Sequence, residues 1–285
     1  MYAELIAIML MTTIACVVPG VFLVIRGMAL MSDALSHALL PGIVIMFLLN
    51  RQCTSFTLII GALCAGLATV VLTEAIMHTR QFKKDTAIGL VFPLFFSIGV
   101  ILISLYARTI HLDMDMVILG HLVFAPFKRF IVYGNDWGPQ ALWMMSAVAC
   151  INGIGTYIVY KELLLASFDD TLAYTSGFRP RTLHYCLMIM TSITCVCAFD
   201  VVGALVVVAL MLVPAATAYL CSSNVVAMMW HALFFGVSAV WGGCLLAYTM
   251  DVSAAGSLAT ASGAVFMVVF MIHYVHLDRR HDVRH

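Results

Sequence analysis

The sequence predicts an all-α integral membrane protein, a polytopic bundle of eight or nine transmembrane helices in a single domain covering residues 1–285. Hydrophobic residues make up 64% of the chain and charged residues only 10%, which excludes a soluble domain with an ordinary polar surface. Apolar windows of about 20 residues, the length that crosses the hydrocarbon core of a bilayer, also recur along the chain. The first window lacks the basic n-region and cleavage site of a signal peptide, so we expect a retained helix.

The apolar windows place the predicted spans in chain order. Seven windows are each suited to one helix, and they cover residues 5–25, 28–50, 54–73, 86–107, 137–160, 182–199 and 252–277. The window 201–250 is too long for one span, so it must turn near Ser222, Ser223 and Asn224 and supply two helices. Nine spans result, or eight if the first two are irregular or one helix lies in the membrane interface.

The Lys and Arg residues predict how these spans are oriented. If nine helices alternate and the C-terminus is cytoplasmic, ten of the 14 basic residues fall in inner loops. The four that remain outside are Arg51, Arg108, Lys128 and Arg129. This bias follows the positive-inside rule and predicts an N-terminus on the outer side of the membrane.

The second window contains a carboxylate and an imidazole, Asp33 and His37, inside an otherwise apolar segment. Residues four apart share one face of a helix, so both side chains can point into one cavity. An Asp in the middle of a bilayer costs roughly 2.5–3.5 kcal/mol on insertion scales. Oxygen and imidazole nitrogen are ligands that Zn²⁺ and Mn²⁺ accept. The pair therefore predicts a site on a metal path, with a helix-packing pair as the alternative.

Other ionisable residues near the predicted span ends have two interpretations each. Glu74 and His78 also lie four apart, beside Arg80, and a salt-bridged helix terminus is favoured there over a metal exit site. Asp200 opens the seventh predicted span, either as a helix N-terminal charge or as part of the path lining.

The predicted outer segment 108–136 carries four further candidate ligands, His111, Asp113, Asp115 and His121. Residues 111, 113 and 115 would share a face only in an extended strand. An ordinary solvated connector is favoured over a vestibule that attracts cations.

The cytoplasmic segment 161–181 predicts a short helix between two spans. Ser167 and Asp170 resemble a capping box and Gly177 is a natural stop, so FDDTLAYTS forms about two and a half turns. Apolar side chains available for contact are those of Phe168, Leu172 and Tyr174. The helix is either a docking element for a cytoplasmic partner or an amphipathic connector on the lipid surface.

Four stretches of the chain stand out by their order and spacing. They are SDALSHALLPGIV at 32–44, TAIGLVFPLFFSIGVILIS at 86–104, FDDTLAYTSGF at 168–178 and VVGALVVVALMLVPAATAYL at 201–220. Together they resemble the permease subunits of zinc and manganese ABC importers. The resemblance implies the ABC importer permease fold, in which two permeases form the channel. It also implies two cytoplasmic ABC ATPase subunits and an extracytoplasmic metal-binding protein as partners.

The resemblance assigns roles to individual residues. Asp33 and His37 correspond to the family's metal path, and a dimer of this chain with itself or with a second permease could bring four ligands to one dication. Asp251, in YTMDVSAAGS, resembles the family's Asp-containing turn before the last span and is a further candidate for the metal path, although the family often has Pro where Ser253 or Ala254 stands. The coupling helix, at about 167–177, would present Phe168, Asp169, Asp170, Leu172, Tyr174 and Gly177 to the ATPase.

The predicted function is therefore the permease subunit of an ATP-driven importer for Zn²⁺, Mn²⁺ or Fe²⁺ in a bacterial cytoplasmic membrane. The chain has no GxxxxGK[ST] phosphate loop, so it cannot bind ATP in the usual way, and we expect ATP hydrolysis by a separate ATPase subunit and no enzymatic activity of this chain. The resemblance also implies no bound cofactor and no nucleic-acid partner. The alternative is a secondary transporter or channel in which Asp33 and His37 relay protons or cations. An intramembrane hydrolase is disfavoured, because HExxH and a convincing triad are missing from the sequence.

Overall fold

The computed structural model describes residues 2–50, 55–79, 81–106, 125–132 and 135–282. The prediction about His111, Asp113, Asp115 and His121 lies outside these residues and stays a prediction. In the described part of the chain, nine segments are long and apolar enough to cross a membrane, which agrees with the upper of the two span counts that the sequence predicts.

Twelve α-helices and one hairpin make up the described structure. In chain order they are α1 (Tyr2–Ile25), α2 (Leu30–Ala38), α3 (Leu40–Asn50), α4 (Ser55–His78), α5 (Lys84–Tyr106), β1 (Arg129–Val132), β2 (Asn135–Pro139), α6 (Gln140–Ile158), α7 (Tyr160–Phe168), α8 (Asp170–Thr175), α9 (Pro180–Val202), α10 (Ala204–Cys221), α11 (Val225–Met250) and α12 (Ala254–Asp282). A single 3₁₀ turn, Ala125–Phe127, precedes the hairpin.

Helix α1 is the most deeply buried span and packs against α6, α9, α10 and α11. A helix buried on all sides is mostly apolar, and the buried hydroxyls of Thr12 and Thr13 in α1 donate to the carbonyls of Ile8 and Met9, each at 2.8 Å. Helix α5 is the least buried of the spans.

The turn predicted within the window 201–250 is confirmed. Helix α10 ends at Cys221, and the Asn224 side chain caps α11 by accepting a hydrogen bond from the Ala227 N–H at 2.7 Å.

The second span consists of two helices, α2 and α3, that meet at Leu39. Pro41 explains the break, since proline has no N–H to donate to the carbonyl four residues earlier. A Cβ at Gly42 would collide with the backbone carbonyl of Gly61 on α4, so α3 packs against that helix at backbone distance. The break therefore lies in a tightly packed part of the bundle.

The β1–β2 hairpin is an antiparallel pair within the predicted outer segment, where the sequence had indicated only a connector. Arg129 at its start forms an ion pair with Glu4, with 3.2 Å between Nη2 and Oε1. Both residues are predicted to lie outside. The contact shows that the start of α1 and the hairpin lie at the same end of the bundle.

Replacing Gly20 with Ala tests how closely α1 and α10 approach. A Cβ at Gly20 would collide with the Met211 carbonyl oxygen, which is backbone and cannot rotate away. We expect Gly20→Ala to destabilise the purified protein by about 1–3 kcal/mol, as overpacking does. The measurement is the thermal unfolding midpoint in detergent.

Gly153 provides the matched control, because a Cβ there meets no described atom within 4 Å. Gly153→Ala should leave the midpoint unchanged or raise it, since Ala is favoured over Gly in a helix by up to about 1 kcal/mol. Equal midpoints for Gly20→Ala and the wild type would contradict the close packing of α1 on α10.

Candidate functional site

Asp33 and His37 lie on one face of α2, as their spacing predicts. The His37 Nε2 and Asp33 Oδ1 atoms are 3.5 Å apart, at the upper limit of a hydrogen bond. The Asp33 side chain is 44% exposed and that of His37 is 39% exposed. A pair retained only for helix packing would be buried, so this geometry favours an open site.

The two side chains belong to a single open stripe on α2. Among residues 30–40 only Leu30, Asp33, His37 and Leu40 are not buried, and their spacing of three, four and three residues follows one helical face. The remaining faces of α2 pack against α4, α5, α9 and α10. Within the described part of the chain, the stripe is the one surface of α2 left for lipid, for a cavity or for another protein.

Two aromatic side chains on α5 contact the His37 ring. The ring centroids of Phe92 and Phe96 lie 5.4 Å and 5.8 Å from that of His37, the second in an edge-on arrangement. They hold the imidazole beside Asp33 and form an apolar wall next to it. Neither phenylalanine is among the site residues that the sequence predicts; their signal in the sequence is the four-residue spacing within TAIGLVFPLFFSIGVILIS.

The pair supplies two donors, one oxygen and one nitrogen, of the type that Zn²⁺ and Mn²⁺ accept. The described residues contain no group of three or more His, Cys, Asp or Glu side chains placed to hold a metal ion. A tetrahedral Zn²⁺ site has four ligands. Asp33 and His37 alone would therefore account for two of the four ligands of such a site.

Asp200 lies at a different place along the helices than the sequence predicts. It lies in the last turn of α9, not at the start of the next helix, so the N-terminal charge interpretation is wrong. Its side chain lines a cavity of about 50 Å³ together with Lys128 and Gln140. The described residues hold no group of three such ligands, so Asp200 does not join Asp33 and His37 in one metal site.

Asp251 forms the C-terminal cap of α11. Its backbone is left-handed, with φ 53° and ψ 43°, and its side chain is exposed. Asp tolerates this conformation better than most residues, so the structure gives Asp251 a role in the turn. A part in the metal path stays a prediction.

The short helix predicted within segment 161–181 is α8, and its start differs from the prediction. Asp169, not Ser167, is the N-cap residue: its Oδ1 accepts hydrogen bonds from the N–H groups of Thr171 and Leu172 at 2.8 and 3.0 Å. Ser167 belongs to α7 and donates to the Leu163 carbonyl at 2.6 Å. The helix spans six residues, shorter than expected, because α7 continues to Phe168.

The end of α8 is confirmed at Gly177, whose φ of +86° suits a glycine. The Phe178 N–H donates to the Ala173 carbonyl and the Gly177 N–H donates to the Tyr174 carbonyl, both at 3.1 Å, which is a Schellman motif. Ala173 is fully buried while Leu172 and Tyr174 are exposed. The helix is thus fixed at both ends and anchored on one side, with apolar groups on the other.

A partly buried polar cluster lies next to α8, and its members were not predicted to lie together. Arg26, between α1 and α2, donates from Nε to Ser167 Oγ and from Nη1 to His184 Nδ1, both at 3.1 Å. His184 Nε2 lies 2.9 Å from Glu74 Oε2, and these two side chains are 14% and 15% exposed. Glu74 thus has a partner on α9, whereas the side chains of His78 and Arg80 are outside the described residues.

This cluster, which we call the Arg26 corner (Arg26, Ser167, His184 and Glu74), borders a cavity of about 1010 Å³. Burial lowers the pKa of the Arg26 guanidinium, while the negative charges of Asp170 and Glu74 act in the opposite direction. The Nη2 atom of Arg26 is buried and has no hydrogen-bond partner among the described residues. The corner joins α4, α7 and α9 to the turn that leads into α2.

Comparison with known proteins identifies relatives that cover nearly the whole chain. Residues 1–273 match the ABC 3 transport family. The zinc transport system membrane protein TroD of Treponema pallidum is 41% identical, covering 97% of this chain and 75% of its own length. The manganese transport system membrane protein MntD of Bacillus subtilis is 38% identical, covering 94% of this chain and 91% of its own.

Two solved structures share the fold. PsaBC from Streptococcus pneumoniae in complex with Fab aligns with a TM-score of 0.74 and 29% identity, covering 94% of this chain and 89% of that one. An inward-facing putative metal-chelate type ABC transporter aligns with a TM-score of 0.65 and 14% identity, covering 94% and 85%. The second likeness concerns the fold alone.

Substitution of Asp169 tests the cap of α8. Asp169→Ala leaves two backbone N–H groups without their acceptor, which costs about 0.5–2 kcal/mol, equivalent to an increase of about 2- to 30-fold in local opening. Hydrogen exchange of residues 170–175 should accelerate by that factor. Asp169→Asn should exchange like the wild type because Asn caps equally well. Identical exchange in all three proteins would contradict the cap.

Proposed function

The chain belongs to the ABC 3 transport family, and we propose that it imports a divalent transition metal, Zn²⁺ or Mn²⁺ with Fe²⁺ as a third candidate, through a path that includes Asp33 and His37. It is a multi-pass membrane permease. It is not the enzyme of the system, because ATP hydrolysis in such importers belongs to a separate ATPase subunit. Family membership also argues against the alternative of a secondary transporter or channel.

The observation that carries the metal proposal is the open stripe on α2. A carboxylate facing lipid is costly, by roughly 2.5–3.5 kcal/mol near the bilayer centre. The packing contacts of α2 are made by its other faces, which are buried. An apolar residue at position 33, on the open face, would therefore leave that packing unchanged. Asp33 and His37 are accounted for if the stripe faces a metal path instead of lipid.

A second permease would complete the site. Two copies of the stripe, one from each subunit, would surround one cation with two carboxylates and two imidazoles. The partner is either this same chain or a related permease. Zn²⁺ binds such ligands more tightly than Mn²⁺ in the Irving–Williams order, so selectivity for Mn²⁺ would come from geometry and from the extracytoplasmic metal-binding protein that delivers the metal.

The proposed location is the cytoplasmic membrane of a bacterium, with the C-terminus in the cytoplasm. Ten of the 14 basic residues would then lie on the inner side. The ion pair between Glu4 and Arg129 fits this arrangement, because it joins two segments that are both assigned to the outer side.

Helix α8 is proposed as the coupling helix that docks on the ATPase. Exposed Phe168, Leu172 and Tyr174 provide the apolar contact surface, while the residues that shape the helix support it from within. Those shaping residues are Asp169 as the cap, Asp170 in the first turn and Gly177 at the stop. A helix held rigidly at both ends can transmit a displacement without unwinding.

Removing either proposed metal ligand should stop transport. Loss of a residue that only supports a metal ligand lowers metal affinity or activity by up to about 100-fold. Asp33→Ala and His37→Ala remove the proposed ligands themselves, so we expect each to lower metal uptake by more than about 100-fold. The measurement is uptake of radioactive Zn²⁺ and Mn²⁺ into vesicles that hold the permease, its ATPase and its binding protein. Asp85→Ala, at an exposed acid that starts α5, is the control and should transport normally. Wild-type uptake by both ligand variants would refute the path.

Introducing a charge on α8 should detach the ATPase. Leu172→Glu places an unpaired carboxylate in an apolar contact, at a cost on the order of 3–5 kcal/mol, which weakens association by more than about a hundredfold. The stoichiometry of ATPase in the purified complex reports it. Leu172→Met, which keeps the contact apolar, should retain the ATPase. A full complement of ATPase in the purified Leu172→Glu complex would show that the ATPase does not dock on α8.

A further inference from the structure

We propose that Arg26 is a positioning residue that links the coupling helix α8 to the metal-path helix α2, so that a displacement of one is passed to the other. The inference rests on the proposed function and concerns how that function is driven. It is carried by two contacts of Arg26 and a third that continues from its partner: Arg26 Nε to Ser167 Oγ, Arg26 Nη1 to His184 Nδ1, and His184 Nε2 to Glu74 Oε2.

The first step is that Arg26 is rigidly connected to α2. Helix α1 ends in a Schellman motif, with the Met28 N–H donating to the Leu23 carbonyl at 2.9 Å and the Gly27 N–H donating to the Val24 carbonyl at 3.1 Å. Gly27 has a φ of +65° and Met28 is almost fully buried. Position 33 follows position 26 by only seven residues. A movement of Arg26 therefore moves the start of α2.

The second step is that Arg26 is connected to α8. Its Nε–H donates to Ser167, which stands two residues before Asp169, the cap of α8. Ser167 is itself held by its hydrogen bond to the Leu163 carbonyl. The negative charge of Asp170, in the first turn of α8, also acts on the Arg26 guanidinium. The guanidinium thus lies against the corner where α7 passes into α8.

The third step concerns His184, which connects the guanidinium to the rest of the bundle. Arginine can only donate, so Nδ1 of His184 must accept the bond from Arg26. The ring proton then resides on Nε2, which donates to Glu74 on α4. This assignment follows from the donor and acceptor inventory and makes His184 a neutral bridge. Helices α4 and α9 are thereby fastened to the same guanidinium.

A planar guanidinium suits this task because its N–H groups point in fixed, different directions. Lysine carries the same charge but presents it from one flexible ammonium group, so it cannot hold Ser167 and His184 in this geometry. The arrangement therefore predicts that charge alone is insufficient at position 26. This distinguishes positioning from simple electrostatic attraction between Arg26 and Asp170.

The test uses the complete complex of permease, ATPase and metal-binding protein in vesicles, and it measures metal transported per ATP hydrolysed. In Arg26→Lys we expect this ratio to fall by at least about fivefold, the low end of typical coupling between sites. ATPase stoichiometry and metal affinity at Asp33 and His37 should stay at the wild-type level. Ser167→Ala removes one acceptor of Arg26 and should also lower the ratio of metal transported to ATP hydrolysed. Because it is a smaller change, it provides the test if Arg26→Lys folds poorly.

Two further variants sharpen the result. His184→Gln can accept from Arg26 and donate to Glu74 through one amide, so it should retain coupling, whereas His184→Ala should lose it. Arg181→Gln removes an exposed cation that lines the same cavity and is the control for charge, with an unchanged ratio expected.

The proposal is overturned by a wild-type ratio in both Arg26→Lys and Ser167→Ala. It is also overturned by loss of the ATPase or of metal affinity in these variants, since either would mean that the corner only stabilises the fold. If the wild-type complex itself transports no metal, the proposed function fails instead, so the two failures are distinguishable.

Discussion

A carboxylate inside a bilayer must be screened from lipid, and the arrangement around α2 depends on that constraint. Every other face of α2 is packed, so the stripe that carries Asp33 and His37 determines what has to lie beside the helix. Lipid is a poor neighbour for it. The described part of the chain leaves the stripe open, and under the proposed function Asp33 and His37 would supply two of the four ligands that a tetrahedral Zn²⁺ site needs. In the function that we propose, a second permease would satisfy the electrostatic requirement and the coordination requirement together.

The sequence predicts the spans well because hydrocarbon imposes a length and a composition on each of them. It also predicts that Asp33 and His37 share a face, since a four-residue spacing is a local property of helices. The turn at Asn224 and the stop at Gly177 were likewise local signals. These features need no knowledge of which helices become neighbours, and they are the ones that the structure confirms.

The remaining features depend on contacts between distant segments. Glu74 pairs with His184, 110 positions away, although the local pattern pointed to His78 and Arg80. Phe92 and Phe96 contact His37 only because α5 packs beside α2. The prediction that Ser167 caps α8 is wrong because α7 continues through Ser167, whose hydroxyl accepts a hydrogen bond from Arg26. The backbone becomes extended only at Asp169, which is therefore the N-cap residue. Such pairings follow from tertiary packing, which no single stretch of sequence specifies.

The Arg26 corner also departs from what stability alone would favour. A buried donor without a partner costs about 1–3 kcal/mol, and Arg26 Nη2 is such a donor among the described residues. Replacing the cluster by apolar side chains would remove this cost. Its position, between the turn that starts α2 and the cap that starts α8, suggests why polar groups stand there. Hydrogen bonds are directional, so a polar corner transmits a displacement in a defined direction, whereas an apolar contact would allow the helices to slide.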